Sequence, residues 1–305
     1  GARVTGEMDL LVPVHALTPD QMQGQYDLVF LLSKQTANRA VLSHLLPFLH
    51  DGSIVCTLQN GIPEPAVAAI VGSARTIGGA VGFGATWLGP GVSALTTTAL
   101  AVRDFAFEIG EIDGVIRPRL GLVRDYLSCV GHTQVLADLM GIRWSKLLMN
   151  ATFSGMSAAL GCTFGEVLDD PRALLCVAFI ADETVRAAHA AGHRMAPMQG
   201  EKFERFRLAS PAAVPQVLPM IRKIWSQHRQ LRASMLQDLE KGRDTEIGFI
   251  NGTVCDTGRA HGVPTPFNDR VVELVSAAQA ARGVPDFGNI ARFDDLLAPH
   301  RALSG

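Results

Sequence analysis

Three polar residues form a regular line in a stretch of the sequence that is otherwise apolar. Lys146, Asn150 and Ser154 follow one another at intervals of four within residues 139–160, where most other side chains are apolar. In a helix this spacing places all three on one face of a buried rod. A lysine there loses hydration unless it meets a carboxylate or lines a wet cleft. The pattern therefore predicts a cleft lined by an ammonium, a carboxamide and a hydroxyl. The alternative is a lysine that extends to solvent beside two groups bonded to the backbone.

A second group of polar residues follows two short apolar runs. The runs cover residues 26–33 and 53–58, and they are followed by Lys34 and by Asn60-Gly61. Such runs are typical of strands that are buried on both faces of a parallel sheet. Because ligands bind outside the carboxyl ends of these strands, Lys34 and Asn60 are candidate ligand-binding residues. Each also has an ordinary explanation, since a lysine after a strand is usually solvated and Asn-Gly usually forms a turn.

Two further segments carry candidate groups. Thr245 and Glu246 place a hydroxyl and a carboxylate at the start of a helix that we predict over residues 245–261, where either could simply stabilise the helix end. The glycine-rich segment 78–84 could let a ligand approach the backbone closely. Trp87 stands where the dinucleotide-binding pattern GxGxxG would need its third glycine, so that fingerprint is absent.

The elements that position these residues fall into two groups along the chain. Residues 1–115 alternate between strand and helix patterns and predict an α/β domain. Residues 116–305 are helical in periodicity almost throughout and predict an all-α domain with a surface loop from about residue 284. In the first domain we predict strands over 26–33, 53–58 and 76–83, helices over 36–49 and 63–71, and an antiparallel edge over 91–103 and 105–110. In the second we predict helices over 116–129, 139–160, 171–191, 201–208, 212–229, 245–261 and 267–281.

Composition narrows the class of partner. The chain has 305 residues, of which 48% are hydrophobic and 18% charged, and its net charge is -2. These values predict a folded protein and give no basic field for nucleic acid or anionic lipid, so a small molecule is the expected partner. No apolar run is long enough for a membrane helix. An odd set of five scattered cysteines without a CxxC pair argues against disulfides and against a bound metal, and it favours the cytoplasm.

Taken as a set and in order, several of these residues resemble the ketopantoate reductase family over about residues 1–283. The resemblance implies an N-terminal Rossmann-type domain, a helical domain of the 6-phosphogluconate dehydrogenase C-terminal-like type, and reduction of 2-dehydropantoate to (R)-pantoate with NADPH in pantothenate biosynthesis. The matching segments are Lys34, Leu58-Gln59-Asn60-Gly61, Trp144-Ser145-Lys146-Leu147 with Asn150, Gly165-Glu166, Ser234-Met235-Leu236-Gln237-Asp238, Thr245-Glu246-Ile247 and Asn251-Gly252.

The resemblance also implies a role for each matching residue. Lys146 corresponds to the catalytic lysine, which protonates the C2 oxygen as hydride reaches C2 and stabilises the developing alkoxide. The substrate-binding positions are Asn150, Ser154 and Ser234. The cofactor-binding positions are Lys34, Asn60, Gly84 through its backbone, and Glu246. A homodimer is compatible with the apolar helical domain, and neither metal nor nucleic acid is implied.

Three departures from the family pattern qualify these expectations. The family's glycine-rich first strand, turn and helix would lie before residue 1, so we expect a natural N-terminal segment that precedes Gly1. Ser154 replaces a common asparagine, and Phe164 replaces another polar substrate ligand. Because phenylalanine cannot bond the substrate's hydroxyl, a different small 2-oxo acid is an alternative substrate. A non-catalytic protein that binds a nucleotide or metabolite is the alternative from another class.

Overall fold

The computed structural model describes residues 1–198 and 200–303. Its contacts divide the chain into two compact units. The first unit comprises Gly1–Gln59 and Pro63–Leu139, and the second comprises Asn60–Ile62 together with the chain from Met140 onward. The expected order of an α/β part followed by a helical part is confirmed.

The first unit contains two sheets and four α-helices. Its strands are β1 (Ala2–Gly6), β2 (Leu10–Val12), β3 (Leu28–Leu31), β4 (Ile54–Thr57), β5 (Thr76–Val81), β6 (Ala85–Gly89), β7 (Val92–Leu95), β8 (Phe107–Gly110) and β9 (Thr133–Leu136). Its helices are α1 (Asn38–Leu45), α2 (Glu64–Val71), α3 (Ala99–Asp104) and α4 (Pro118–Leu127). One sheet has the order β3-β4-β5-β8-β9, and the other has the order β2-β1-β7-β6.

The larger sheet contains the two parallel strands that precede Lys34 and Asn60. Strand β4 pairs in parallel with both β3 and β5, and its apolar run is buried at every residue. This burial follows from the continuous apolar sequence, which provides no polar face for solvent. The predicted antiparallel edge over 91–103 and 105–110 is wrong. Strand β8 pairs antiparallel with β5 and in parallel with β9, so it is not an edge. Within 91–103 only β7 is a strand, which belongs to the other sheet, and Ala99–Asp104 is helix α3.

The predicted domain boundary between residues 115 and 116 differs from the structure. Helix α4 and strand β9 belong to the first unit, so the chain passes to the second unit between Leu139 and Met140. Residues 133–136 are too short for a helical period to be read, and pairing with β8 makes them a strand. Strand pairing depends on contacts between distant segments, so the local periodicity of the sequence does not predict it.

The second unit is helical and is organised around one long buried helix. The helices are α5 (Leu139–Met149), α6 (Gly155–Leu160), α7 (Phe164–Asp169), α8 (Pro171–Ala190), α9 (Val214–Trp225), α10 (Ser234–Glu240), α11 (Asn251–His261), α12 (Pro266–Ala280) and α13 (Asp294–Leu297). Helix α8 starts at Pro171 behind the Asp170 cap, as predicted, and packs against α7, α9, α11 and α12. No helix in the described part of the chain is both long and apolar enough to cross a membrane.

Four predictions in the second unit need correction. The helix predicted over 245–261 begins only at Asn251. Residues 201–208 form only a short 3₁₀ turn, Phe203–Phe206. The chain after residue 284 is not a surface loop, because its 3₁₀ turn and α13 bury Ile290, Phe293 and Leu297. The predicted helix 139–160 is interrupted at Asn150–Ser154 by one π-helical turn between α5 and α6.

Candidate functional site

The polar line on the second unit's buried helix is accessible in the structure. Lys146, Asn150 and Ser154 are partly exposed, whereas most side chains between them are buried. The three residues therefore share the open side of an otherwise enclosed helix. Shared exposure favours a lined cleft over scattered structural roles, and the catalytic and binding roles of the three residues remain predictions.

The π turn alters the geometry of this line. The amide of Gly155 donates to the carbonyl of Asn150, five residues back, instead of to that of Ala151. In an α-helix four residues advance about 40° beyond a full turn, so the line would drift around the helix. The wider turn holds more than four residues, so its four-residue step falls short of a full turn. Ser154 is thereby returned toward the side on which Lys146 lies.

Ser234 is placed near this line by helix packing. It is the exposed first residue of α10, which packs against the π turn and α6. The amide of Ala233 donates to Ser157 Oγ at 3.2 Å, and this hydroxyl donates to the carbonyl of Cys162 at 2.5 Å. The start of α10 is thus fixed on α6. The structure brings Ser234 to the same region of the unit as Asn150 and Ser154.

Glu246 does not lie in the first turn of an α-helix. Helix α11 begins at Asn251, and Glu246 instead precedes the 3₁₀ turn Ile247–Phe249. Thr245 is held by Gln279, whose Oε1 accepts from the Thr245 amide at 2.8 Å and hydroxyl at 2.9 Å. The expected helix-dipole explanation for Glu246 is therefore wrong. Glu246 is half-buried beside this anchored residue, and its contact with a cofactor remains a prediction.

Lys34 follows β3 and is positioned by a network that the sequence did not reveal. Gln59 Nε2 donates to the carbonyl of Ser33 at 2.5 Å and to Asn38 Oδ1 at 2.6 Å. Gln59 Oε1 accepts from Asn38 Nδ2 and from Thr57 Oγ1, each at 3.1 Å. The residue beside Asn60 therefore fixes the backbone beside Lys34. Gln59 lies within the Leu58-Gln59-Asn60-Gly61 stretch, but nothing in its spacing showed that it faces inward.

Replacing Gln59 with leucine is expected to lower the free energy of unfolding of the first unit by about 1–3 kcal/mol, because buried groups of Ser33 and Asn38 lose their partner. Urea titration would measure the loss. Thr57→Val is the matched control, since it removes one of the four hydrogen bonds of Gln59 and should cost less than Gln59→Leu does. Equal losses in the two variants would contradict a central role for Gln59.

Asn60 and Gly84, two predicted cofactor-binding residues, have different local backbone surroundings. Asn60 follows β4 and precedes Gly61. The φ of Gly61 is +78°, a conformation that favours glycine at this turn. Gly84 donates its amide to Thr97 Oγ1 at 2.8 Å and accepts the Thr96 amide at 3.0 Å. Its backbone groups thus have local partners, and its contact with a cofactor remains a prediction.

One buried polar atom in the first unit fits a bound ligand. Ser33 Oγ, next to Lys34 after β3, has no hydrogen-bond partner among the described residues. A buried hydroxyl without a protein partner is uncommon, and a bound ligand or water would satisfy it. A donor hydroxyl beside a lysine after a parallel strand suits the phosphate and ribose groups of a dinucleotide. These residues fit such a cofactor, although the chain has no GxGxxG loop.

Phe164 belongs to an aromatic cluster beside the π turn. It is buried, and its ring lies 5.5 Å from that of Phe153, a residue of the turn. Phe153 also stacks on Trp225 at 4.7 Å. Gly165 and Glu166, which follow it, have local roles: Glu166 and Thr163 cap α7 reciprocally, and a Cβ on Gly165 would lie 3.0 Å from the Arg229 carbonyl. The surface that Phe164 presents is apolar.

A buried carboxylate, Glu183, lies in the middle of α8. Its oxygens accept from the amides of Phe267 and Asn268, each at 2.9 Å, and from Asn268 Nδ2 at 2.8 Å. Burial raises the pKa of Glu183 to about 7, despite these bonds to the charged form. The sequence signal was available, because Asp182 and Glu183 directly follow the apolar run from Leu174 to Ala181 within one helical segment.

Glu183 makes stability depend on pH with a defined sign. The folded protein holds the proton more tightly than the unfolded chain, in which the carboxyl has its ordinary pKa of 4.5. Its contribution is therefore greatest below pH 4.5 and is lost as pH rises through about 7. A shift of this size corresponds to about 3 kcal/mol. Glu183→Gln should remove this component from the free energy of unfolding, measured by urea titration across that range.

Glu166 provides a control, because its effect on the pH dependence of stability has the opposite sign to that of Glu183. Hydrogen bonds from the Thr163 backbone and hydroxyl lower its pKa, so its contribution is present at neutral pH and is lost as pH falls through the lowered value. Glu166→Gln should leave the decline between pH 4.5 and about 7 intact. A wild-type curve that rises over this range, or a Glu183→Gln curve identical to wild type, would contradict the assignment.

Comparison with known proteins identifies relatives over most of the chain. The family description "Ketopantoate reductase PanE/ApbA" matches residues 1–106, and "Ketopantoate reductase PanE/ApbA C terminal" matches residues 138–279. A 2-dehydropantoate 2-reductase of Archaeoglobus fulgidus is 25% identical over 92% of this chain and 85% of its own length. One of Mesorhizobium japonicum is 28% identical over 90% and 83%.

Solved structures share the fold. A D-mandelate dehydrogenase bound to NADH and anilino(oxo)acetate superposes with a TM-score of 0.76 at 21% identity, covering 92% of this chain and 86% of its own. A 2-dehydropantoate 2-reductase of Geobacter metallireducens gives 0.74 at 24%, covering 91% and 86%. The matching family descriptions and the relatives named 2-dehydropantoate 2-reductase place the chain in a class of oxidoreductases. Within that class, this chain belongs to the ketopantoate reductase family.

Proposed function

We propose that the protein reduces 2-dehydropantoate to (R)-pantoate with NADPH, and that Lys146 is the general acid. The observation that carries this proposal is the partly exposed line of Lys146, Asn150 and Ser154 on a buried helix. Relatives named 2-dehydropantoate 2-reductase over most of the chain support the substrate.

The residues of the second unit would hold and protonate the substrate. Lys146 donates a proton to the C2 oxygen and neutralises charge that develops on it. Asn150, Ser154 and Ser234 supply hydrogen bonds that orient the acid, and the buried surroundings strengthen each of these interactions. The bound cofactor would supply the hydride to C2.

The residues that would hold the cofactor are Lys34, Ser33 and Asn60 after the parallel strands, with Gly84 and Glu246 as further contacts. An ammonium suits a phosphate, and the unpartnered Ser33 hydroxyl suits an oxygen acceptor. NADPH is preferred in this proposal because of the family resemblance. The D-mandelate dehydrogenase solved with NADH makes that cofactor the alternative to be tested.

A second candidate substrate is a 2-oxo acid with an aromatic or apolar substituent, such as phenylglyoxylate. Phe164 favours it, because a buried phenyl ring packed on Phe153 cannot bond a substrate hydroxyl. The D-mandelate dehydrogenase is a structural neighbour whose name indicates a 2-hydroxy acid with a phenyl group.

The test is oxidation of NADPH and of NADH by the protein, with 2-dehydropantoate and phenylglyoxylate as substrates. Nicotinamide absorbance measures the rate. Rapid turnover of 2-dehydropantoate supports the first proposal, and preference for phenylglyoxylate supports the second. Cofactor binding without turnover of either acid would overturn both substrates. Failure to bind either cofactor would favour a non-catalytic protein.

We also propose a homodimer in the cytoplasm. A related ketopantoate reductase of Staphylococcus aureus is described as dimeric and superposes with a TM-score of 0.71 at 16% identity. All five cysteines are free thiols in the structure, which suits a reducing compartment. Light scattering after size-exclusion chromatography distinguishes a dimer from a monomer.

A further inference from the structure

The carbonyl that the π turn releases is bonded by a side chain from another helix. Because the Gly155 amide bonds the Asn150 carbonyl, the Ala151 carbonyl loses the partner that an α-helix would give it. Asn251 Nδ2, at the start of α11, donates to this carbonyl at 3.0 Å. Asn251 is fully buried, so the bond is shielded from water. The Asn251 side chain thus bonds the helix backbone at the point where the regular series of backbone hydrogen bonds is interrupted.

The sequence makes room for that side chain. A Cβ on Gly155 would lie 2.7 Å from Asn251 Oδ1 and 3.0 Å from Nδ2, closer than real Cβ contacts allow. Thr152 supports the same turn, because its hydroxyl lies 2.8 Å from the Leu148 carbonyl and 3.0 Å from that of Met149. Glycine at 155 and asparagine at 251 therefore act as a fitted pair across two helices.

The orientation of the Asn251 amide is fixed by a buried relay. Its Nδ2 also donates to Asn268 Oδ1 at 2.9 Å, and Asn268 Nδ2 donates to Glu183 Oε2 at 2.8 Å. A flipped Asn251 amide would set its oxygen against two acceptors, the Ala151 carbonyl and Asn268 Oδ1. The relay runs from Glu183 through Asn268 and Asn251 to the π turn.

We propose that Asn251 is a positioning residue for the reaction, because its carboxamide, oriented by Asn268 and Glu183, holds open the π turn that brings Ser154 back in line with Lys146. This inference rests on the proposed function for its catalytic consequence. Its structural half, that Asn251 maintains the turn, stands on the hydrogen bonds and on the close approach at Gly155. Asn251 touches the helix backbone, so its effect on substrate is exerted through Asn150 and Ser154.

The test compares Asn251→Leu, which cannot donate, with Gly155→Ala, which pushes the amide away and leaves its chemistry unchanged. Both should raise the KM for the 2-oxo acid about tenfold or more and lower kcat. The Kd for NADPH should change less than twofold. Hydrogen exchange at the amides of residues 151–156 should accelerate or change pattern in both variants. In the double variant the effects should be less than additive, since each change breaks the same contact.

Asn289→Leu is the matched control. Asn289 Nδ2 donates at 2.9 Å to the carbonyl of Ala159, which is on the same helix but outside the π turn. This variant should lose stability without the change in KM or in exchange at residues 151–156. An Asn251→Leu protein with kinetics and exchange like those of Asn289→Leu would overturn the inference. If the wild type reduces neither acid, the proposed function fails, and the exchange pattern alone decides whether Asn251 holds the turn.

Discussion

Replacing Lys146 with alanine is expected to lower kcat/KM for the 2-oxo acid by about 10²- to 10⁴-fold, the usual contribution of a positioned general acid. In the role proposed for Lys146, removal of the ammonium leaves the C2 oxygen without its proton donor and without a charge to stabilise it. Because Lys146 is on the open side of a buried helix, alanine leaves the surrounding apolar packing intact. Steady-state kinetics with the preferred acid would measure the loss.

Two variants control this experiment. Lys146→Arg keeps the positive charge but is a poorer proton donor at neutral pH, so it should restore substrate binding better than turnover. Lys223→Ala removes an exposed lysine of α9 that pairs with Glu201 at 2.7 Å, and it should leave kinetics unchanged. A Lys146→Ala protein that is folded and retains more than about a tenth of wild-type kcat/KM would exclude Lys146 as the general acid.

The sequence alone predicted the elements that depend on a local, repeated pattern of apolar and polar residues. The spacing of Lys146, Asn150 and Ser154 predicted a shared face, and the structure leaves these three side chains accessible. The apolar runs before Lys34 and Asn60 predicted adjacent parallel strands, which β3 and β4 confirm. In each case the hydrophobic pattern determines which groups are buried, and burial determines the element.

The parts that the sequence could not reveal depend on partners distant along the chain. The π turn at Asn150–Ser154 is bonded by Asn251, a hundred residues later, and no helical periodicity encodes that contact. The position of β9 depends on its pairing with β8. Glu246 was assigned to the first turn of an α-helix, but the helix begins at Asn251. Propensity alone cannot place such boundaries when tertiary contacts decide them.

Phe164 leads to the prediction with the largest expected change in selectivity. Phe164→Asn should shift the ratio of kcat/KM for 2-dehydropantoate over phenylglyoxylate toward 2-dehydropantoate by on the order of 10²- to 10³-fold. In the proposal that Phe164 faces the substrate, the change removes an apolar surface that suits a phenyl substituent and adds a group that can bond a substrate hydroxyl. A polar site discriminates strongly against a ligand that leaves its groups unpaired, whereas an apolar pocket does not reject a hydroxyl strongly. Competition between the two acids would measure the ratio directly.

Phe164→Leu separates selectivity from packing. It removes the ring contact with Phe153 but keeps the surface apolar, so it should cost stability on the order of 1 kcal/mol and leave the substrate ratio within about threefold. A ratio that moves equally in both variants would mean that Phe164 acts through the aromatic cluster and the π turn that contains Phe153. A ratio that moves only in Phe164→Asn would mean that this side chain itself faces the substrate, and that its identity sets which 2-oxo acid the protein reduces.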